Sequence, residues 1–176
     1  MGGRKKNYLL LSGAPVLAYT LVAFESSVLI DSVIIAVAPG DEEYCRDSLA
    51  PFGFRKVSRI VAGGKERQDS SFRGLKIVEK LGDRAGDLIL FHNGANPLVS
   101  KKEISEVVKA AKKYDAALVS QPAKDTIKES DKNGFLVRTL DRKKIFLAQT
   151  PQVIEYELAK MVFKKARREK FYGTDD

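Results

Sequence analysis

The sequence predicts a three-layer α/β domain with a mainly parallel sheet and a protruding β-arm. Short apolar, β-branched runs recur along the chain, separated by segments of helical periodicity. The run "SVIIAVA" (32–38) is continuously apolar instead of alternating, as a strand buried on both faces is. After Pro122 the rhythm stops, and two short extended runs flank an Asn-Gly pair, the signature of a hairpin. Strands that alternate with helices need crossovers, which make neighbouring strands parallel and cover both faces of the sheet. The 176 residues are expected to form one domain over 1–176, with the arm at 123–142.

The N-terminal "MGGRKKNYLLLSGAPVLA" is basic and then apolar, which imitates a secretory signal. Ser12, Gly13 and Pro15 interrupt the apolar run, and Pro15 suits the first turn of a helix. "SVIIAVA" (32–38) reads as a buried strand, and "DEEYCRDSL", after Pro39 and Gly40, as a helix with an acidic first turn. "KVSRIVA" (56–62) is the next strand and stops at Gly63-Gly64. From Gln68 to about Leu81, Phe72, Leu75, Ile77 and Val78 form a helical stripe that Gly82 closes. "DLILFH" (87–92) is a strand followed by the loop "NGANPLVS". Ser100 and Glu103 make a Ser-x-x-Glu cap for a helix that buries Ile104, Val107, Val108 and Ala111. "AALVSQP" (116–122) is a fourth strand. "KDTIKESDKNGFLVRTLDR" is the arm, and a helix runs from about Glu155 to Glu169.

A net charge of +8 favours an anionic partner. The densest basic run, "KKARREK" (164–170), has no interleaved aromatic residues, so it reads as a solvated helix face and no nucleic-acid partner is expected. Cys45 is the only cysteine, which leaves no disulfide framework and no cysteine metal cluster and suits a reducing cytoplasm. Lys6 stands where myristoylation needs Ser or Thr. No stretch approaches the roughly 20 apolar residues of a membrane span, so a cytoplasmic location without a membrane partner is expected. No His, Cys and carboxylate spacing suggests zinc; the metal expected is a magnesium ion carried by phosphates.

In an open α/β sheet, ligands bind outside the carboxyl ends of the strands. Two polar, glycine-containing loops fall there, "GGKERQDS" and "HNGANP". Each glycine alone is an ordinary turn residue; two such loops at one sheet edge point to a pocket. His92 is the only histidine, so a Ser-His-Asp device would need it. Direct chemistry and a hydrogen-bonded strand end both remain open for it.

The loops carry a resemblance. In order along nearly the whole chain stand "GAPVLAYTL" (13–21), "VAGGKERQDSSFRGL" (61–75), "HNGANPLV" (92–99), "KDTIK" (124–128), "TLDR" (139–142), "QTPQV" (149–153) and "GTDD" (173–176). This set resembles the 2-C-methyl-D-erythritol 4-phosphate cytidylyltransferases, and cytidylyltransferases that act on ribitol 5-phosphate share much of it. The resemblance implies a Rossmann-like nucleotidyltransferase. It would transfer a cytidylyl group from CTP to methylerythritol phosphate and release pyrophosphate, in non-mevalonate isoprenoid precursor synthesis. Gly63 and Gly64 would lie against the cytosine, where glycine lets backbone groups approach a base edge. Ser70 would also read the base, Arg67 would organise the loop, and Lys65 and Gly94 would complete the CTP site. Lys6 would support the triphosphate as a catalytic residue. Thr126, Arg142 and Thr150, with Asn96, would hold the sugar phosphate, Arg142 also counting as catalytic. Asn93 would face the magnesium ion, and the arm would cross to a second subunit in a homodimer.

Three departures qualify the match. "HNGANP" stands where the family has "HDAARP", so Asn93 gives up an aspartate charge and Asn96 a bidentate phosphate clamp. Lys65 stands where an acidic residue is frequent. Met1-Gly2 fall at the end of the family's Gly-rich phosphate loop, and members continue past "GTDD", so sequence beyond both ends is expected. Ribitol-5-phosphate cytidylyltransferase, and a nucleotide-binding relative without turnover, stay open as alternatives.

Overall fold

The computed structural model describes residues 6–82 and 86–173. Met1, Gly2 and the last three residues of the "GTDD" motif lie outside them. A short hairpin, β1 (Leu10–Leu11) with β2 (Ala14–Pro15), leads into α1 (Val16–Glu25). Then follow β3 (Val33–Val37), α2 (Glu42–Leu49), β4 (Val57–Ala62), α3 (Arg67–Lys80) and β5 (Leu88–Phe91). The chain continues through α4 (Lys101–Tyr114), β6 (Ala116–Pro122), the arm strands β7 (Lys128–Ser130) and β8 (Leu136–Thr139), β9 (Phe146–Glu155) and α5 (Tyr156–Arg168).

The α/β layering follows the sequence. Leu88 and Leu90 of β5 pack with Val107, Val108 and Ile104 of α4 on one face. Ile89 and Phe91 pack on the other, against Phe72 and Leu75 of α3 and Tyr156, Ala159 and Phe163 of α5. Alternate side chains of a strand point to opposite faces, so a strand between two helical layers must be apolar at every position. Strands β3 and β4 pair in parallel. Strands β5 and β6 share a direction because each pairs antiparallel with β9, which lies between them. The crossover strands thus run alike within each of these two sheets, and in the second of them β9 runs against both its neighbours. The two sheets meet under α1, which buries Leu17, Ala18 and Leu21 over the first and Phe24 over the second.

Helix α4 starts as its cap dictates. Glu103 N–H donates to Ser100 Oγ (3.1 Å), and Ser100 N–H donates to Glu103 Oε2 (2.7 Å). In α5 the Glu155 carboxylate accepts from Leu158 N–H at 2.7 Å, and the basic residues 164–170 are exposed, as a solvated face requires. No helix among the described residues is long and apolar enough to cross a membrane. Beyond β5's reach, residues 146–148 of β9 pair only with β6, and this exposed ribbon carries the β7–β8 hairpin.

Candidate active site

The strand β4 ends on a pair of glycines that α3 grips at once. Gly63 N–H donates to Val37 O at 2.5 Å, extending the β3–β4 ladder by one bond. The next peptide is held at both ends: Gly64 N–H donates to Ser70 Oγ (3.0 Å), and Arg73 Nη1 donates to Gly63 O (2.8 Å) and to Ala62 O (3.3 Å). Ser70 and Arg73 are three residues apart and so share a helix face. Glycine is needed at both positions for packing. A Cβ on Gly64 would lie 2.1 Å from Asp69 Cβ, and one on Gly63 would lie 2.7 Å from Ser70 Oγ and 3.0 Å from Val37 O. The space a side chain would need is therefore filled by α3. Both glycine N–H groups are committed within the protein, and the carbonyl of buried Gly63 takes the Arg73 guanidinium.

The second loop closes on itself. Asn96 N–H donates to Asn93 O (2.9 Å), and Ala95 N–H donates to Asn93 Oδ1 (3.0 Å) in an Asx turn. His92 makes a 3.0 Å hydrogen bond through Nε2 to Asn96 O, which places its proton on Nε2. Its ring meets Phe24 edge-on at 5.0 Å. Burial pushes the imidazole below its ordinary range, and the neighbouring Arg67 charge adds to this. Gly94 faces α1: its carbonyl accepts from Thr20 Oγ1 (2.8 Å), and a Cβ there would sit 3.1 Å from Leu17 Cδ1 and 3.6 Å from Asn7 Oδ1. Asn7 belongs to the helical turn Lys6–Tyr8, in which Lys6 is exposed.

Between this loop and β9 opens a cavity of about 580 Å³, lined by Arg67, Asn93, Asn96, Thr150 and Gln152 among others. Asn93 N–H reaches Thr150 Oγ1 at 3.4 Å across it. Gln149 and Gln152 bring the lining to four carboxamides with one cation and one carboxylate, Glu103. The Ser100 hydrogen bonds hold that carboxyl below the usual range, so it is an occupied cap. Among the described residues no three His, Cys, Asp or Glu side chains converge, and Asn93 Oδ1 already accepts a hydrogen bond. These residues do not build a cage for a resident metal ion.

The structure thus brings Arg67, Asn93, Asn96 and Thr150 together. It sets Gly63, Gly64, Lys65 and Ser70 on the adjoining strand-to-helix turn. Thr126 and Arg142 stand apart at the root of the arm, where Arg142 Nη1 donates to Lys124 O (2.8 Å). Sequence reasoning missed Arg73, Thr20 and Gln152. Arg73 looks like one more surface cation of an amphipathic helix. Gln152, inside the quoted "QTPQV", is buried with its amide donating to Gln149 O (3.3 Å). Thr20 was legible only as a polar residue on the buried face of α1.

A three-layer α/β domain with two polar loops beside a carboxamide-lined cavity is a nucleotidyltransferase in class, and the solved structures of similar fold bear this out. The 4-diphosphocytidyl-2C-methyl-D-erythritol synthase of Anaerococcus prevotii superposes with a TM-score of 0.84 at 27% identity, over 99% of this chain and 74% of that one. The 2-C-methyl-D-erythritol 4-phosphate cytidylyltransferase of Thermus thermophilus gives 0.75 at 29% identity, over 97% and 75%. The family model of 2-C-methyl-D-erythritol 4-phosphate cytidylyltransferase (IspD) matches residues 1–176. The enzyme of that name from Pelotomaculum thermopropionicum is 43% identical over 173 residues, 98% of this chain and 71% of the relative. The chain belongs to the 2-C-methyl-D-erythritol 4-phosphate cytidylyltransferase family.

Proposed function

We propose that this chain transfers a cytidylyl group from CTP to 2-C-methyl-D-erythritol 4-phosphate. The observation that carries the base assignment is the commitment of the Gly63 and Gly64 N–H groups to Val37 O and Ser70 Oγ. A slot edged by carbonyl acceptors suits cytosine, whose C4 amino group donates, and disfavours uracil, whose C4 carbonyl cannot. Family membership supplies the acceptor, and the neighbouring cavity of about 580 Å³ has room and carboxamides for a polyol phosphate.

In the proposed reaction an oxygen of the sugar phosphate attacks the α-phosphorus of CTP in line. The bond from that phosphorus to the bridging oxygen of the β-phosphate breaks, and pyrophosphate leaves with the electron pair. The protein's task is to align two polyanions and offset their charge. Lys6, exposed next to Asn7, is assigned to the triphosphate. Asn96 and Thr150 in the cavity are assigned to the sugar phosphate. Thr126 and Arg142 of a second subunit's arm would complete that site in a homodimer. Magnesium is proposed to enter on the nucleotide phosphates, with Asn93 offering a neutral oxygen at most. The buried thiol of Cys45 suits a cytoplasmic location.

The test is pyrophosphate release with CTP, magnesium and methylerythritol 4-phosphate, against a no-acceptor control and a ribitol 5-phosphate arm. Release that requires methylerythritol phosphate is the expected result. Preference for ribitol 5-phosphate would replace the acceptor, and tight CTP binding without release would make the chain a binding relative.

A further inference from the structure

We propose that the cleft between the β1–β2 hairpin and α2 is a second binding site, built for an organic cation: an alkylguanidinium or alkylammonium group, free or at the tip of an arginine or lysine side chain. A cavity of about 250 Å³ opens there, lined by Tyr8, Leu10, Pro15, Tyr44, Pro51 and Phe52, with Ser48 on the same wall. It shares no lining residue with the cavity beside the "HNGANP" loop. Tyr8 and Tyr44 meet edge-on with centroids 4.9 Å apart, and Phe52 stacks on Phe54 at 5.9 Å. Each ring is thus held by a neighbour, yet Leu10, Tyr44 and Phe52 remain 40–64% exposed. Apolar surface gathered around a cavity in this way marks a binding site. The cleft is smaller than the roughly 300–1,000 Å³ of ordinary ligand pockets, so it suits a group of side-chain size and not a nucleotide.

Charge around the cleft selects the occupant. Asp41 and Asp47 stand three residues before and after Tyr44 and share its side of the helix, as Ser48 does, whereas Arg46, two residues on, does not. With Glu42 and Glu43 these make four carboxylates against one cation, in a chain whose net charge is +8. The field reaches the cleft wall. Burial pushes the Tyr8 hydroxyl above its ordinary range, and the Cys45 thiol and then the Asp41 carboxylate add to the shift. An anion would meet those carboxylates, and a neutral apolar group would use only the rings. An organic cation uses both, its aliphatic stem lying on apolar side chains and its charge over an aromatic face. Among the described residues no three His, Cys, Asp or Glu side chains converge, so a bare metal ion is not the occupant.

The experiment titrates the full chain with n-butylguanidinium and follows the backbone amide signals of Tyr44 and Ser48 by NMR. Butylurea, a neutral isostere, is the control, and an acetylated and amidated Ala-Arg-Ala peptide forms a second arm. Saturable shifts with butylguanidinium that weaken as salt rises are expected, with butylurea binding more weakly. Tyr44→Ala should weaken binding by about twofold to fivefold, in line with loss of one exposed cation–π contact. Asp47→Asn should weaken it too and flatten the salt dependence. Equal binding of butylurea overturns the charge selection, and unchanged binding in Tyr44→Ala overturns the aromatic wall. Should Tyr44→Ala not fold, the comparison of butylguanidinium with butylurea on the wild-type chain still decides. No saturable shift with either the free cation or the peptide overturns the site. Tighter binding of the peptide identifies a basic protein segment as the occupant, and equal or tighter binding of butylguanidinium identifies a free small cation; both results uphold the site.

Discussion

Gly64 and Gly74 lie on either side of the start of α3 and make opposite predictions. A methyl group on Gly64 would fall 2.1 Å from Asp69 Cβ, which belongs to the helix backbone's own turn and has nowhere to go. Gly64→Ala should cost about 1–3 kcal/mol, the usual range for overpacking, read as a lower urea midpoint at constant slope. At Gly74, inside α3, an added Cβ meets nothing within 4 Å. Gly74→Ala should therefore stabilise the chain by up to about 1 kcal/mol through helix propensity. His92 gives a prediction in pH. Burial holds its pKa below the ordinary 6.5, so as pH falls the unfolded chain takes up a proton that the folded chain refuses. Stability present above pH 6.5 is then lost as the pH drops toward the depressed native value. His92→Gln keeps a donor for Asn96 O, and its melting temperature should fall less steeply than the wild type's across that window. Parallel slopes would show that His92 does not carry the effect.

Among the elements, α4 was the most legible, since its cap and its stripe both lie within one short window. Ser100→Ala removes an oxygen that accepts from Glu103 N–H and should cost about 1 kcal/mol in urea unfolding. Strand β9 was the least legible. Residues 149–152 read as Gln-Thr-Pro-Gln, poor strand formers as a segment, and were recognisable only as part of a motif. They form a strand because β5 and β6 each have an edge to be paired, and the chain returning from the arm fills the space between them. That pairing joins residues more than thirty apart, so no local propensity reports it. The glycine pair shows the same limit on a smaller scale. Its openness was legible, but the helix that occupies the open side lies six to ten residues on, and Arg73 gives no sign in the sequence that its guanidinium turns back.

For the whole molecule, the proposal that bears on the arm is its crossing to a second subunit. Phe135, Leu136, Val137 and Phe146 are 58–73% exposed, a concentration of apolar surface that marks an interaction site. The chain is expected to sediment as a dimer, and Leu136→Glu with Phe146→Glu should shift it to monomer and abolish turnover. A fully active monomer would refute the shared site. A mixing experiment reaches the same question from the side of chemistry. Arg142→Ala and Thr150→Ala chains, each impaired, should regain activity together if one intact site forms from Arg142 of one subunit and Thr150 of the other. No gain on mixing would return Arg142 to its own arm, where it already holds Lys124 O.

By itself the sequence determined the crossover strands and their helices, though not β9, together with the layering of the domain and the family, because periodicity, caps and ordered motifs are local records of local physics. The tertiary structure decided what those motifs do to one another. It put Asn93, Asn96, Arg67 and Thr150 around one cavity, turned Gly94 toward α1, left Thr126 and Arg142 on the arm, and spent the glycine N–H groups inside the protein. Those outcomes depend on packing and hydrogen bonds between residues far apart in the chain, where direction and distance are set only once the layers close.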